Sequence, residues 1–346
     1  MVEELASSSQ YAAATALGRI DVHAHYVPDA YRNAAIAAGH AKPDGMPALP
    51  AWSAARALDT MDRLGIATAM LSISSPGVHF GDDRAARELA RAVNEAGAGT
   101  VVQHPSRFGL FASLPLPDID GALLELDYAL DVLHADGVVL LSNQGGVYLG
   151  DARFEPVLAE LNRRRTVVFL HPTSPHCAAC RVDLPYPAPM VEFMFETTRA
   201  VSNLILSGTL DRNPNIAVIV PHAGAALPLL SDRIAAMIHY LNLAAPISPS
   251  QFTTHLARLH YDLAGFAVPK MIDSLLAVTT IENLLYGSDW PFTPEFAVAE
   301  LATRIDTSAQ FGAPSIAAIL RTNALNLLPG PRARHTAAYP NSDLLK

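Results

Sequence analysis

Eight short apolar runs, each separated from the next by a stretch of helical character, constrain this chain more than any other feature. The runs are Arg19–Ala24, Ala67–Ile73, Phe108–Leu114, Gly137–Ser142, Thr166–His171, Ile216–His222, Leu259–Leu263 and Leu284–Asp289. They are rich in Val, Ile, Leu and Phe and alternate little with polar residues. Parallel strands covered by helices read this way, because neither face meets water. Helices are expected at Ala54–Leu64, Asp83–Ala98, Ile119–His134, Phe154–Arg164, Met190–Ser207, Leu229–Leu241, Pro269–Val278 and Phe296–Phe311. Eightfold strand–helix alternation predicts a (β/α)8 TIM barrel. A doubly wound open sheet is the rival, but no Gly-x-Gly-x-x-Gly turn follows any of the strands.

Half of the 346 residues are hydrophobic and 16% are charged, enough apolar material for one large core. The net charge is −9 and no Lys/Arg block is present, so a small molecule is a better partner than a nucleic acid. The N-terminal MVEELASSSQYAAATALG lacks the basic region of a secretory signal. No apolar run is long enough to cross a bilayer. Two cysteines cannot build a disulfide framework, and Cys177-Ala178-Ala179-Cys180 lacks the second pair of a closed zinc site. A soluble, cytoplasmic protein is expected. Residues 19–330 would form the barrel, after an N-terminal extension (1–18) and before a C-terminal tail (331–346) that reads with little periodicity.

The chemistry concentrates at strand ends. In Asp21-Val22-His23-Ala24-His25, the two histidines alternate along a strand and so face one side, a ready pair of metal ligands. His171 closes TVVFL, His222 closes IAVIVP and Asp289 closes LLYGS. A titratable group after a strand that is otherwise buried costs several kcal/mol unless it is partnered. Five such groups at the catalytic end of one barrel point to a metal site. Two long connections, Tyr26–Ser53 and Pro172–Pro189, should overhang the mouth, and make His40 and His176 candidate contacts. The remaining histidines, His260 among them, are expected in loops or helices.

As a set, IDVHAHYVPDAY, MDRLGI, GDARFEPVLAELNRR before VVFLHPT, PHAG and YGSDWPF resemble the amidohydrolase superfamily. The resemblance runs from Arg19 to about Leu328. It is to the branch of aminocarboxymuconate-semialdehyde decarboxylase and the salicylate-type decarboxylases, and the loop HAKPDGMPALPAWS is most similar to 6-methylsalicylate decarboxylases. It implies that His23, His25, His171 and Asp289 bind the metal and that His222 is an acid/base outside the coordination sphere. A carboxyl near a metal and a histidine can carry a shared proton, which makes Asp289 the leading proton donor; the competing scheme has a metal-bound hydroxide, with His222 as base, add to the substrate. The resemblance also implies that Arg233 reaches a substrate carboxylate, commonly across a homodimer, and that Phe292 packs on an aromatic ring. Trp290 and Trp52 are further candidate walls, with rim or core packing the plainer role of Trp290. Arg56 does not match the arginine with which the muconate enzyme grips a second carboxylate, which disfavours a dicarboxylate substrate. Binuclear superfamily members bridge two ions with a strand-four lysine, whereas GVVLLS has none. One zinc or manganese ion is therefore expected.

The activity so implied is nonoxidative decarboxylation of a salicylate-like aromatic acid, with 6-methylsalicylate giving 3-methylphenol and CO2. Two other readings compete: a lactonase-type hydrolase using metal hydroxide on the same ligands, and a non-catalytic binding barrel.

Overall fold

A computed structural model describes residues 18–175, 185–241 and 247–338. Eight parallel strands form one sheet in sequential order: β1 Arg19–His25, β2 Ile66–Ser72, β3 Phe108–Ser113, β4 Gly137–Leu141, β5 Val167–His171, β6 Ala217–Val220, β7 His260–Asp262 and β8 Leu284–Leu285. The last strand returns to the first. Val22 N–H donates to Tyr286 O (3.0 Å), His25 N–H donates to Trp290 O (2.8 Å), and Ala24 bridges Trp290 in parallel. The sheet is thus a (β/α)8 barrel, as the alternation of apolar runs predicts.

Two layers of side chains hold it. Ile20, Val22, Met70, Phe111, Val139, Val167, Phe169, Ile219 and Leu285 fill the barrel, with Ala324, Leu325 and Leu328 packed against them. A larger set, including Leu71, Leu110, Leu140 and Leu170, packs outward against the helices. Burying each large apolar side chain contributes roughly 1.5–3 kcal/mol.

One irregularity sets up the site. Asp21 pairs with Ala69 and Ala24 with Leu71, so β1 carries one more residue than β2 over this stretch. Such a bulge shifts the inward-facing phase by one residue. Ile20 and Val22 lie in the inner cluster, and within the bulge His23 also turns inward, its ring against Phe169.

Several expected elements differ in extent. The sixth and eighth runs end as strands at Val220 and Leu285, so His222 and Asp289 stand on the turns beyond. Both have positive φ, 56° and 59°, a conformation that cannot continue a strand. The Tyr26–Ser53 connection is not structureless: it holds a helix, Asp29–Ala37. Helix Pro249–Arg258, capped by Ser248 and Gln251, was not apparent from the sequence. Its capping box, Ser248 to Gln251, was the available signal. The segment after Leu328 contains helix Pro329–Ala338, tied to the barrel by Arg334 on buried Asp136. His260 is a strand residue, and burial pushes its pKa down to about 4. His176, Cys177 and Cys180 lie outside the described residues. No helix among the described residues is long and apolar enough to cross a membrane.

Candidate metal centre

His23 and His25 are fully buried, His171 is 2% exposed, and the Asp289 side chain, 22% exposed, forms the open side of the cluster. One ligand atom from each of the four lies within 4.8 Å of the others. The imidazoles meet edge to face, with ring centroids 4.8–5.5 Å apart. Atoms bound at about 2.1 Å to a common ion at near right angles stand about 3 Å apart. Asp289 Oδ1 is 3.1 Å from His25 Nε2 and 3.3 Å from His23 Nε2.

The outer nitrogens of the three rings are all engaged, which sets the tautomer of each. His23 Nδ1 is 2.9 Å from Asp262 Oδ2. His25 Nδ1 is 3.0 Å from Ser72 Oγ; that hydroxyl donates its own proton to Ala24 O, so it accepts from the ring. His171 Nδ1 donates to Pro172 O at 2.7 Å. Each Nδ1 thus carries a proton and each Nε2 faces inward, the tautomer a metal-binding histidine requires. His23 Nε2 is buried and has no hydrogen-bond partner. Such an atom costs free energy unless something occupies the space before it. Three neutral imidazole donors, one carboxylate and one orphaned nitrogen fit a divalent cation.

The electrostatics agree with this grouping. Burial acts against charge on His23, but Asp262 and Asp289 outweigh it and raise its pKa to about 10 when no ion is present. Burial, with His25 and His23 alongside, pushes His171 well below its usual value. Burial likewise lowers His25, with Asp289 opposing. Burial alone would raise the Asp289 pKa, but His23, His222 and His25 hold it well below the usual carboxylate range.

Asp289 is mounted on β1 by its backbone: its N–H donates to His23 O at 2.7 Å. Its two oxygens then divide their tasks. Oδ1 faces the histidines, while Oδ2 accepts from Thr293 Oγ1 (3.3 Å) and lies 3.9 Å from His222 Nε2. The Phe292 ring stands edge-on to His25 at 5.6 Å. Trp290 is buried core; Trp52 packs on Tyr26. His40 lies against Phe80. Arg56 lies in the first turn of the helix Ala54–Leu64 and donates to Ala51 O.

Arg233 is the exception among the expected site residues. It is exposed on the helix Leu227–Tyr240, beside a surface groove lined by Leu206, Leu230, Ile234 and Met237. Among the described residues it makes no hydrogen bond or ion pair.

Two carboxylates at the site were not singled out from the sequence. Asp21, buried, accepts the N–H groups of His23 and Ser288 at 3.0 Å each and so ties β1 to the turn carrying Asp289; burial pushes its pKa up to about 7. Asp262 ends β7 against His23. Both are titratable residues within apolar strand runs, the same signal that marked the histidines.

Comparison with known proteins places these features in context. A family model described as amidohydrolase matches residues 20–330. Decarboxylase yanB of Aspergillus niger is 36% identical over 326 residues, covering 90% of this chain and 88% of that protein. The 6-methylsalicylic acid decarboxylase acuB of Aspergillus aculeatus is also 36% identical over 326 residues, covering 90% and 96%. The solved structure of a 2,6-dihydroxybenzoate decarboxylase complexed with 2,6-dihydroxybenzoate superposes with a TM-score of 0.77 at 25% identity, covering 90% of this chain and 98% of that one.

Proposed function

The chain belongs to the amidohydrolase family, and on that premise we propose that it is a metal-dependent nonoxidative decarboxylase of a salicylate-like aromatic acid, with 6-methylsalicylate as the leading substrate. One observation carries the reading: one ligand atom from each of His23, His25, His171 and Asp289 lies within 4.8 Å of the others, while Asp289 Oδ2 turns toward His222. Relatives that are 36% identical and named as decarboxylases support it.

His23, His25, His171 and Asp289 would hold one divalent ion, zinc or manganese. When bound, the ion would supply Lewis-acid charge to a substrate carboxylate. Phe292 packs against the substrate ring and keeps water from one side of it. His222 and Asp289 act as a proton-carrying pair. Asp289 is held anionic by the histidines around it, and its Oδ2, 3.9 Å from His222 Nε2, is the oxygen through which a proton shared with His222 would reach the ring. The ring carbon bearing the carboxylate takes that proton. Its bond to the carboxylate then breaks, the electron pair restores aromaticity, and CO2 leaves. Each turnover consumes one proton, which solvent returns to His222.

The assembly in this reading is a cytoplasmic homodimer in which Arg233 meets the substrate carboxylate of the partner subunit. Exposed apolar residues on segments leaving the catalytic ends of β6, β7 and β8 (Leu229, Phe266 and Phe296) are in keeping with a covered face. No lysine stands at a strand end to bridge a second ion. The lactonase reading uses the same ligands, and nothing in the site favours it.

Incubation with 6-methylsalicylate and a panel of hydroxybenzoates tests the proposal. Stoichiometric CO2 and phenol are expected; turnover of lactones alone would overturn it.

A further inference from the structure

Among the groups around the site, Asp262 has the most unusual set of partners. It ends β7 and is completely buried. Its Oδ2 faces His23 Nδ1 at 2.9 Å. Its Oδ1 accepts two backbone N–H groups, those of His222 and Ala264, each at 3.0 Å. One carboxylate therefore touches a residue of the cation cluster and the backbone of the acid/base residue, which are 199 positions apart along the chain (222 − 23).

We propose that Asp262 is a positioning residue for both halves of the site: it fixes the His23 ring in the tautomer that presents Nε2, and it anchors the backbone turn that carries His222.

The turn needs an anchor. His222, Ala223, Gly224 and Ala225 all have positive φ (56°, 55°, 77° and 57°), a run that L-residues other than glycine adopt rarely. Hydrogen bonds from surrounding structure must hold such a conformation. The His222 N–H to Asp262 bond is one, made at the first residue of the run. The packing around Asp262 is built for close approach. A Cβ on Gly287 would meet His23 Cβ at 2.9 Å and Asp262 Cβ at 3.1 Å, and one on Gly265 would meet the His222 ring at 2.9 Å. Only glycine at these two positions lets β7, β1 and the His222 turn come together.

Both carboxylate oxygens act as acceptors, which makes the asparagine variant diagnostic. Asparagine offers one acceptor oxygen and one donor amide. If the oxygen stays on His222 and Ala264, the NH2 faces His23 Nδ1 and accepts nothing. The ring proton then moves to Nε2, and the inward lone pair is lost. If the amide is flipped, His23 keeps its tautomer, but NH2 opposes two backbone N–H donors and the His222 turn loosens.

This inference rests on the proposed metal-dependent reading, and the test separates the two. Manganese affinity of the purified protein is measured by titration for the wild type and Asp262→Asn, with thermal melts as the folding check and kcat and KM at saturating ion. Expected is a roughly 10- to 100-fold loss of ion affinity, or a kcat loss of similar size at saturating ion with KM little changed. Wild-type affinity together with wild-type kcat in a folded Asp262→Asn variant would overturn the inference. Failure of the wild type to bind any ion would instead overturn the metal-dependent reading. A second measurement needs no substitution. In zinc-loaded protein labelled with 15N-histidine, His23 should show a protonated Nδ1 and a zinc-bound Nε2, and the reverse assignment would contradict the role given to Asp262 even if the asparagine variant failed to fold.

Discussion

His222 Nε2 stands 3.9 Å from Asp289 Oδ2, on the side of the carboxylate turned away from the histidine cluster. The proposed acid/base group thus lies beside the cluster, on one of its carboxylates, without itself belonging to it. His222→Asn would keep a side chain of similar size but remove the proton carrier. Turnover should fall by roughly 10²- to 10⁴-fold, while metal content stays at the wild-type level. Loss of the ion together with activity would show that His222 is a ligand.

The charge on His23 sets the pH dependence of ion binding. Without an ion, Asp262 and Asp289 overcome the effect of burial and keep its pKa near 10, above the ordinary value of 6.5. An ion on Nε2 must displace that proton, so protons and metal compete. Affinity should therefore rise with pH, by up to about tenfold per unit below pH 10, and fall as the solution is acidified. Calorimetry in buffers of different ionisation enthalpy should register proton release on binding. Binding with no proton release and no pH dependence would contradict a protonated metal-free His23.

Phe292 offers its ring beside His25 at the mouth. Replacing it with alanine removes one apolar wall. About 1–2 kcal/mol of substrate binding should be lost, roughly a 5- to 30-fold drop in kcat/KM, carried mainly by KM. An unchanged KM for a salicylate-like acid would remove Phe292 from the substrate pocket.

Arg233 tests the assembly. It is exposed on the helix Leu227–Tyr240, and the proposed role across a subunit interface can be checked by complementation. Arg233→Ala should raise KM or abolish turnover without releasing metal. Mixed dimers of Arg233→Ala and His222→Asn chains should recover activity at one of their two sites. No recovery would place both residues in the same subunit's site, and wild-type activity of Arg233→Ala alone would show Arg233 to be dispensable.

Much of the site was legible in the sequence because the barrel rule converts chain position into spatial position: residues ending strands meet at one rim. His23, His25, His171, His222 and Asp289 all end or follow apolar runs, and all converge. The rule did not reveal how they are held. Asp262 lies inside the run Leu259–Leu263 rather than after it, and its partner His23 is 239 residues away. Nothing local records that pairing. Glu196 was hidden differently: it sits on the helix Glu192–Leu206, where a carboxylate suggests a solvated face, yet it is fully buried and bonded to Tyr148 and Asn143. The β1 bulge was also unreadable, since it exists only relative to β2.

The convergence of His23, His25, His171 and Asp289 on one ion is the central claim, and metal content measured alongside decarboxylation during removal with a chelator tests it most directly. One divalent ion per chain is expected, with activity falling in proportion to its removal and returning when it is restored. Full decarboxylation by protein stripped of metal, or two ions per chain, would contradict it.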